Sequence, residues 1–98
     1  MAKYYKLMKA TETFINYTTE DVEPRNGRDF SLSELQGYVG GYVEIVDLRD
    51  GRLMVVNENG ISEGLPFNPL ATAIFQEQTG SDDIILGSVV ICDAEQIL

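Results

Sequence analysis

The sequence has 98 residues, 44% of them hydrophobic and 23% charged, a composition typical of one globular domain spanning 1–98. Seven Lys and Arg against sixteen Asp and Glu give a formal net charge of −9. This balance argues against a nucleic-acid binder, because neutralising a phosphate backbone takes cations. With no His and with Cys92 as the single cysteine, the chain cannot form an internal disulfide, a Cys/His zinc site or a nucleophile paired with imidazole. We therefore expect no cofactor, no metal ligands and no catalytic residues.

The hydrophobic pattern also bears on location. The longest nearly unbroken apolar run, 84–92, is far shorter than the ~20 residues that a membrane span needs. The opening residues MAKYYK are cationic, but no apolar segment follows them, which argues against a secretory signal. An unpaired Cys92 within an apolar run is typical of a core residue in a reducing compartment. These features predict a cytoplasmic protein without membrane contact.

Charge is unevenly distributed along the chain. Residues 1–28 hold five of the seven cations and have a net charge of +1, whereas residues 29–98 have a net charge of −10. Such an acidic surface keeps the protein soluble, docks on a basic partner or imitates DNA.

The front of the chain is rich in β-formers. Residues 4–9 predict a strand, and the run 11–18 either extends it as one long bent strand or returns as a hairpin turning near Ala10. Charged residues, Pro24 and an Asn-Gly pair then predict a loop over 19–29.

A short helix follows. Ser31 and Glu34 have the spacing of a capping box, in which each side chain accepts a hydrogen bond from the other residue's backbone amide. The pair Gly40 and Gly41 predicts the end of this helix after about two turns.

The second half predicts a hairpin, a helix and a strand. Residues 42–58 alternate around an Asp-Gly turn signal and predict a β-hairpin. Asn68 followed by Pro69 is typical of a helix start, and that helix ends near a Thr-Gly pair. The apolar run 84–92 predicts a final, central strand, in which Gly87 indicates a bulge or a close approach of another backbone.

Together these elements predict an α+β fold. The domain has the order β-α-β-β-α-β, with a four- to five-stranded, mostly antiparallel sheet and two short helices. One arrangement compatible with this order is a split βαβ with both helices on one face of the sheet, and a more curled, barrel-like sheet is the alternative.

Four spaced motifs occur in order: LSELQGYVGGYVE (32–44), VVNENG (55–60), GLPFNPLAT (64–72) and ILGSVV (85–90). Over about 31–91 the sequence resembles the family described as domain of unknown function 3846, small proteins of bacteria, plasmids and phages. The resemblance implies no defined activity, but it implies a phage or mobile-element setting. The positions that keep the family pattern are Gln36, Gly40, Gly41, Glu44, Asn57, Glu58, Gly60, Asn68, Ala71 and Thr72.

Five of these positions are candidate ligand-binding residues: Gln36, Glu44, Asn57, Glu58 and Asn68. Glu44 lies mid-strand among apolar neighbours, where a carboxylate must be exposed, or paired with a cation such as Arg49 or Arg52 across the hairpin. The structural explanations for the others are equally direct: Asn57 and Glu58 can hold a turn, and Asn68 can cap a helix.

The leading functional hypothesis is a non-catalytic binding or interaction protein of phage or mobile-element type. It would act through its acidic surface or a small ligand pocket, on a protein partner or on itself, as a homodimer formed through a strand edge or the apolar hairpin face. One alternative is a cation-rich pocket that sequesters a nucleotide messenger of host defence. A second is a small enzyme using Glu44 and Glu58 as an acid–base pair, or Glu58 with Asp47 as a Mg²⁺ or Ca²⁺ site. The cations available for a nucleotide pocket are Lys3, Lys6, Lys9, Arg25 and Arg28.

Overall fold

The computed structural model describes the backbone of residues 2–11 and 14–97, and the side chains of residues 2–6 and 18–97. In chain order the described elements are β1 (Ala2–Thr11), β2 (Phe14–Val22), α1 (Leu32–Val39), β3 (Val43–Asp47), β4 (Arg52–Asn57), α2 (Pro69–Thr79), β5 (Val89–Asp93) and a 3-10 turn (Ala94–Gln96). The strands form one five-stranded antiparallel sheet in the order β2-β1-β5-β4-β3. The predicted α+β class and its mostly antiparallel sheet are confirmed.

The front of the chain is a hairpin and not one bent strand. β1 pairs with β2 from Ala2 opposite Val22 to Thr11 opposite Phe14, with a register shift between Lys9 and Thr11. The predicted loop over 19–29 begins only after Val22. Pairing with β1 provides hydrogen-bond partners for the backbone of residues 19–22, and this outweighs the weak strand propensity of that acidic stretch.

The last strand lies in the middle of the sheet, as its continuous apolar sequence predicted, with β1 on one side and β4 on the other. It begins at Val89 and is shorter than the predicted run. Gly87 has φ +84°, and its amide donates to the Pro66 carbonyl, so the chain bends away from the sheet before β5. Of the predicted alternatives, a bulge or a close approach of another backbone, the structure has the second, since the Pro66 carbonyl lies 2.7 Å from the Gly87 amide. A Cβ at Gly87 would also lie 2.8 Å from Leu65 Cδ1.

The two helices pack on opposite faces of the sheet. Val55 shares a core with Leu35 of α1, while the neighbouring Met54 and Val56 share a second core with Ala71 of α2. Consecutive residues of β4 are therefore buried on alternate sides. Both helices on one face of a split βαβ is thus not the arrangement adopted, because β4 and β5 carry apolar side chains on both faces.

The first helix has the predicted start and end. Ser31 Oγ accepts from the Glu34 amide at 3.1 Å, and the Glu34 carboxylate accepts from the Ser31 amide at 2.7 Å. The amides of Ser31 and Arg25 both donate to this carboxylate and hold the pKa of Glu34 below its ordinary value. Gly40 ends the helix in the left-handed conformation at φ 80°.

Cys92 is fully buried in the core shared with α1, as predicted. Burial raises the pKa of its thiol to about 11, so the neutral form is held in the interior. Among the described residues, no helix is long and apolar enough to span a membrane.

Candidate functional site

Three of the five predicted site residues line one open cleft of about 380 Å³. The cleft lies on the α2 side of the sheet, between the β3–β4 hairpin, the turn after β4 and the segment that precedes β5. We call it the hairpin cleft. Its lining consists of Glu44, Val46, Val56, Asn57, Glu58, Gly60, Ile61, Phe75, Asp83, Ile84, Ile85 and Leu86.

Apolar side chains form the floor of the hairpin cleft. Val56 and Ile85 belong to the core beneath α2, and Val46 and Phe75 pack against that core from its border. Two isoleucines at the rim, Ile61 and Ile84, are 87% and 56% exposed. Together they enlarge an apolar surface that the described chain leaves in water.

Carboxylates stand around this apolar floor. Glu44, Glu58 and Asp83 line the cleft and are exposed. Of the two alternatives for Glu44, exposure or pairing with a hairpin arginine, the described structure has the first: Arg52 makes a two-pronged contact with Asp50, at 2.7 and 2.9 Å. The acidic rim of the cleft therefore has no cation paired with it among the described side chains.

Asn57 reaches the cleft but has a structural task. Its buried amide Nδ2 donates to the Val39 carbonyl at 3.2 Å and to Glu63 Oε1 at 3.3 Å, while Oδ1 accepts from the Asn59 amide at 2.8 Å. These bonds join the end of α1 to the turn after β4. The side chain's polar atoms are thus occupied, and Asn57 shapes the end of the cleft instead of offering a free amide.

Asn68 is also engaged within the fold. Its Oδ1 caps α2 by accepting from the Ala71 amide at 3.0 Å, and its Nδ2 donates to the Gly87 carbonyl at 2.9 Å. One turn later, Thr72 Oγ1 accepts from the Ile85 amide at 2.9 Å. Together Asn68 and Thr72 hold the segment before β5 against α2, which fixes one wall of the hairpin cleft.

Gln36 lies apart from the other candidates. It borders a shallow second depression of about 460 Å³ together with Gly37, Tyr42, Asn59 and Glu63. The turn after β4 borders both depressions, with Gly60 and Ile61 in the hairpin cleft and Asn59 and Glu63 in the second depression. The structure therefore brings Glu44, Asn57 and Glu58 together, and leaves Gln36 and Asn68 outside the cleft.

The described cations are not gathered into one pocket. Lys3 lines a third depression of about 250 Å³, where Arg52 lies beside it but Asp21 and Asp93 lie there too. Elsewhere, Arg25 and Arg28 each lie 3.8 Å from a carboxylate, those of Glu34 and Asp29. The side chain of Lys9 is outside the described residues. The depression at Lys3 thus has mixed charge.

The acids predicted as an alternative metal site are also separated. Asp47 does not line the hairpin cleft, and its Oδ1 accepts from the Arg49 amide at 2.8 Å. Among the side chains of residues 2–6 and 18–97, no three acidic or thiol groups converge on a point where a metal could bind.

The contributors to the cleft that sequence reasoning missed include Ile61, Phe75, Asp83 and Ile84. Ile84 was placed within a strand, but it belongs to the irregular segment that follows Asp83. For Ile61 the available signal was an isolated isoleucine between Gly60 and Ser62, where a fold gains little from an apolar side chain, whereas Ile84 begins an apolar run and carried no such signal.

The fold and the cleft together define a small α+β protein with a five-stranded antiparallel sheet and an open, acid-rimmed apolar cleft. The model of the family Domain of unknown function (DUF3846) matches residues 12–96, and the chain belongs to this family. The match extends beyond the resemblance over 31–91 at both ends. No curated protein and no solved structure matches the chain.

Proposed function

We propose that this protein is a non-catalytic binding protein that holds a basic, partly apolar segment of another protein in the hairpin cleft. One observation carries the proposal: an apolar floor with exposed isoleucines at its rim is ringed by Glu44, Glu58 and Asp83. These carboxylates have no cationic partner among the described residues. Such a surface complements a ligand that offers both hydrocarbon and positive charge.

Lys and Arg side chains suit this surface. Their hydrocarbon stems can cover apolar residues such as Val46 and Ile61, while their charged ends reach the acidic rim. Burying apolar surface contributes roughly 25 cal/mol per Å². The negative field of a chain with net charge −9 attracts a basic partner and repels acidic ones.

A binding role agrees better with the carboxylates than an enzymatic one. Acid–base catalysis favours acids held in a cleft shielded from water, whereas Glu44 and Glu58 are exposed. We include in the proposal a cytoplasmic location, which the buried free thiol of Cys92 supports. We also include the phage or mobile-element setting that the family resemblance implies.

Selection from an mRNA-displayed library of random ten-residue peptides tests the proposal without a known partner. Peptides retained by the wild-type protein should be enriched in Lys or Arg next to aliphatic residues. The cleft variant, E44Q/E58Q/D83N, should bind them at least tenfold more weakly at low salt. The matched control, E23Q/E77Q/E95Q, removes the same charge from exposed positions outside the cleft lining and should bind within about threefold of wild type.

Two results would contradict the proposed function. If the retained peptides had no excess of Lys and Arg, the acidic rim would not be selecting positive charge. Equal weakening by the cleft variant and the control variant would show that net charge, and not the cleft, governs binding. Affinity should also fall as salt rises, because exposed charges are screened.

A further inference from the structure

We infer that the basic segment binds as an additional strand along the outer edge of β3, beside the hairpin cleft. This inference rests on the proposed function and adds the binding mode and the sequence pattern of the ligand. Among the described strands, β3 is the last on its side of the sheet and pairs with β4 alone. Addition of a strand to an open sheet edge is a general mode of peptide recognition.

The alternating hydrogen bonds of the β3–β4 hairpin show which backbone amides and carbonyls of β3 do not face β4. The Glu58 amide donates to the Tyr42 carbonyl at 2.9 Å, and the Leu48 amide donates to the Arg52 carbonyl at 3.1 Å. In an antiparallel pair such bonds recur at every second residue. Even-numbered residues of β3 therefore face β4.

The odd-numbered residues Val43, Ile45 and Asp47 direct their amides and carbonyls outward. Across the described structure, no backbone group bonds with these outward amides and carbonyls. Three residues thus present a row of open donors and acceptors that matches an extended peptide.

This edge lacks three of the features that block strand addition: a bulge, Pro and Lys. β3 pairs with β4 in one continuous register, without a bulge, and its sequence VEIVD contains neither Pro nor Lys. Its two charged residues, Glu44 and Asp47, are both acidic and exposed. The edge is therefore open to a strand of opposite charge.

Charge also decides between a peptide and a second copy of this chain. Antiparallel pairing of two β3 strands about Ile45 would place the two Glu44 carboxylates diagonally across the same face. Like charges so placed repel each other. A Lys or Arg opposite Glu44 would instead be attracted, and its stem would cover the floor of the hairpin cleft.

The register gives the ligand a pattern. Side chains opposite Glu44 and Val46 lie on the cleft face, and a side chain opposite Ile45, which is 42% exposed, lies on the other face. An antiparallel ligand that complements each residue has a basic residue opposite Asp47 and Glu44, and apolar residues opposite the three others. Read from its amino end, this pattern is Lys-Val-Val-Lys-Val.

The test uses the acetylated and amidated peptide Lys-Val-Val-Lys-Val with two N-methylated versions. The amide of the third residue, opposite Ile45, points at β3, and the amide of the fourth, opposite Glu44, points away. Methylation of the third amide should weaken binding at least tenfold in an NMR titration, whereas methylation of the fourth should change it by less than threefold. Hydrogen exchange at Val43, Ile45 and Asp47 should slow when the unmodified peptide is bound.

The outcomes separate this inference from the proposed function. In one outcome, E44Q/E58Q/D83N abolishes binding of the peptide, but both methylated peptides bind as tightly as the unmodified one. Strand addition is then wrong and the cleft function stands. If the random library also yields no basic peptides, the proposed function fails with it. Slow exchange at Ile45 in a dimer without peptide would show that a second copy occupies the edge, and would overturn the inference.

Discussion

Asn68 is the position at which one substitution best tests how the wall of the hairpin cleft is held. Its buried side chain makes two bonds of different kinds: Oδ1 caps α2 through the Ala71 amide, and Nδ2 donates to the carbonyl of Gly87. Replacement by Ala removes both bonds at once. Because both residues that Asn68 joins lie in the interior, water cannot easily replace its atoms.

The expected magnitude follows from the two bonds. Loss of a helix N-cap costs about 1 kcal/mol. A buried carbonyl left without a donor, here that of Gly87, costs about 1–3 kcal/mol. We therefore expect Asn68→Ala to lower the free energy of unfolding by about 2–4 kcal/mol. At about 4–8 °C per kcal/mol for a domain of this size, the Tm should fall by at least about 8 °C.

Urea unfolding followed by circular dichroism measures this loss, and two further variants divide it. Asn68→Ser keeps an oxygen that can cap α2 but has no amide donor for Gly87, so it should recover about 1 kcal/mol relative to Ala. Asn68→Asp also keeps the cap, but it sets a carboxylate oxygen against the Gly87 carbonyl in the interior. It should be less stable than the Ser variant.

Two results would refute this reasoning. An Ala variant within about 0.5 kcal/mol of wild type would show that neither bond matters to the fold. An Asp variant as stable as wild type would show that the bond to Gly87 contributes nothing.

The remaining predictions concern three other positions. A Cβ at Gly41 would lie 2.9 Å from Nδ2 of Asn57, which is held by two acceptors, so Gly41→Ala should lower the urea-derived stability by about 1–3 kcal/mol. Gly37 lies within α1 and a Cβ there would meet open space, so Gly37→Ala should raise the stability by about 0.5–1 kcal/mol; a loss would reveal a contact that the fold does not explain. The raised pKa of Cys92, about 11, means that the folded state keeps its proton while the unfolded thiol ionises. The contribution of this thiol to the free energy of unfolding is fully present below about pH 8.5. It falls as the pH rises towards 11, by up to about 1.4 kcal/mol per pH unit. Urea titrations at pH 8 and 10 should therefore show a smaller loss in Cys92→Ala than in wild type, and an equal loss would contradict the assignment.

Local signals in the sequence were enough for the helix ends and the turns. A capping box depends on two residues three positions apart, and a cap such as Asn68 depends on its immediate neighbours, so both are legible in a single sequence. The same holds for the β3–β4 hairpin, whose turn and alternation lie within seventeen residues.

Long-range packing was less accessible. The choice of opposite faces for α1 and α2 depends on pairing between β5 and strands far away in sequence, which local pattern does not determine. The site shows the same division. Glu44 and Glu58 keep the family pattern and lie in one predicted hairpin, so the sequence alone could place them together. Phe75 and Asp83 join them only in the folded chain, where Asn68 bonds to the Gly87 carbonyl and holds the segment before β5 against α2.

The position of β5 has a consequence for the order of assembly. Among the described strands, β5 alone joins the β1–β2 hairpin to the β3–β4 hairpin, because it pairs with β1 on one side and with β4 on the other. It is also the last strand along the described chain. Each hairpin can close by itself during synthesis, but the two halves of the sheet can join only when Val89–Asp93 has been made. A nascent chain that stops short of this segment would leave β1 and β4 without the strand that pairs with both. We expect such a chain to be a substrate for chaperones or proteases.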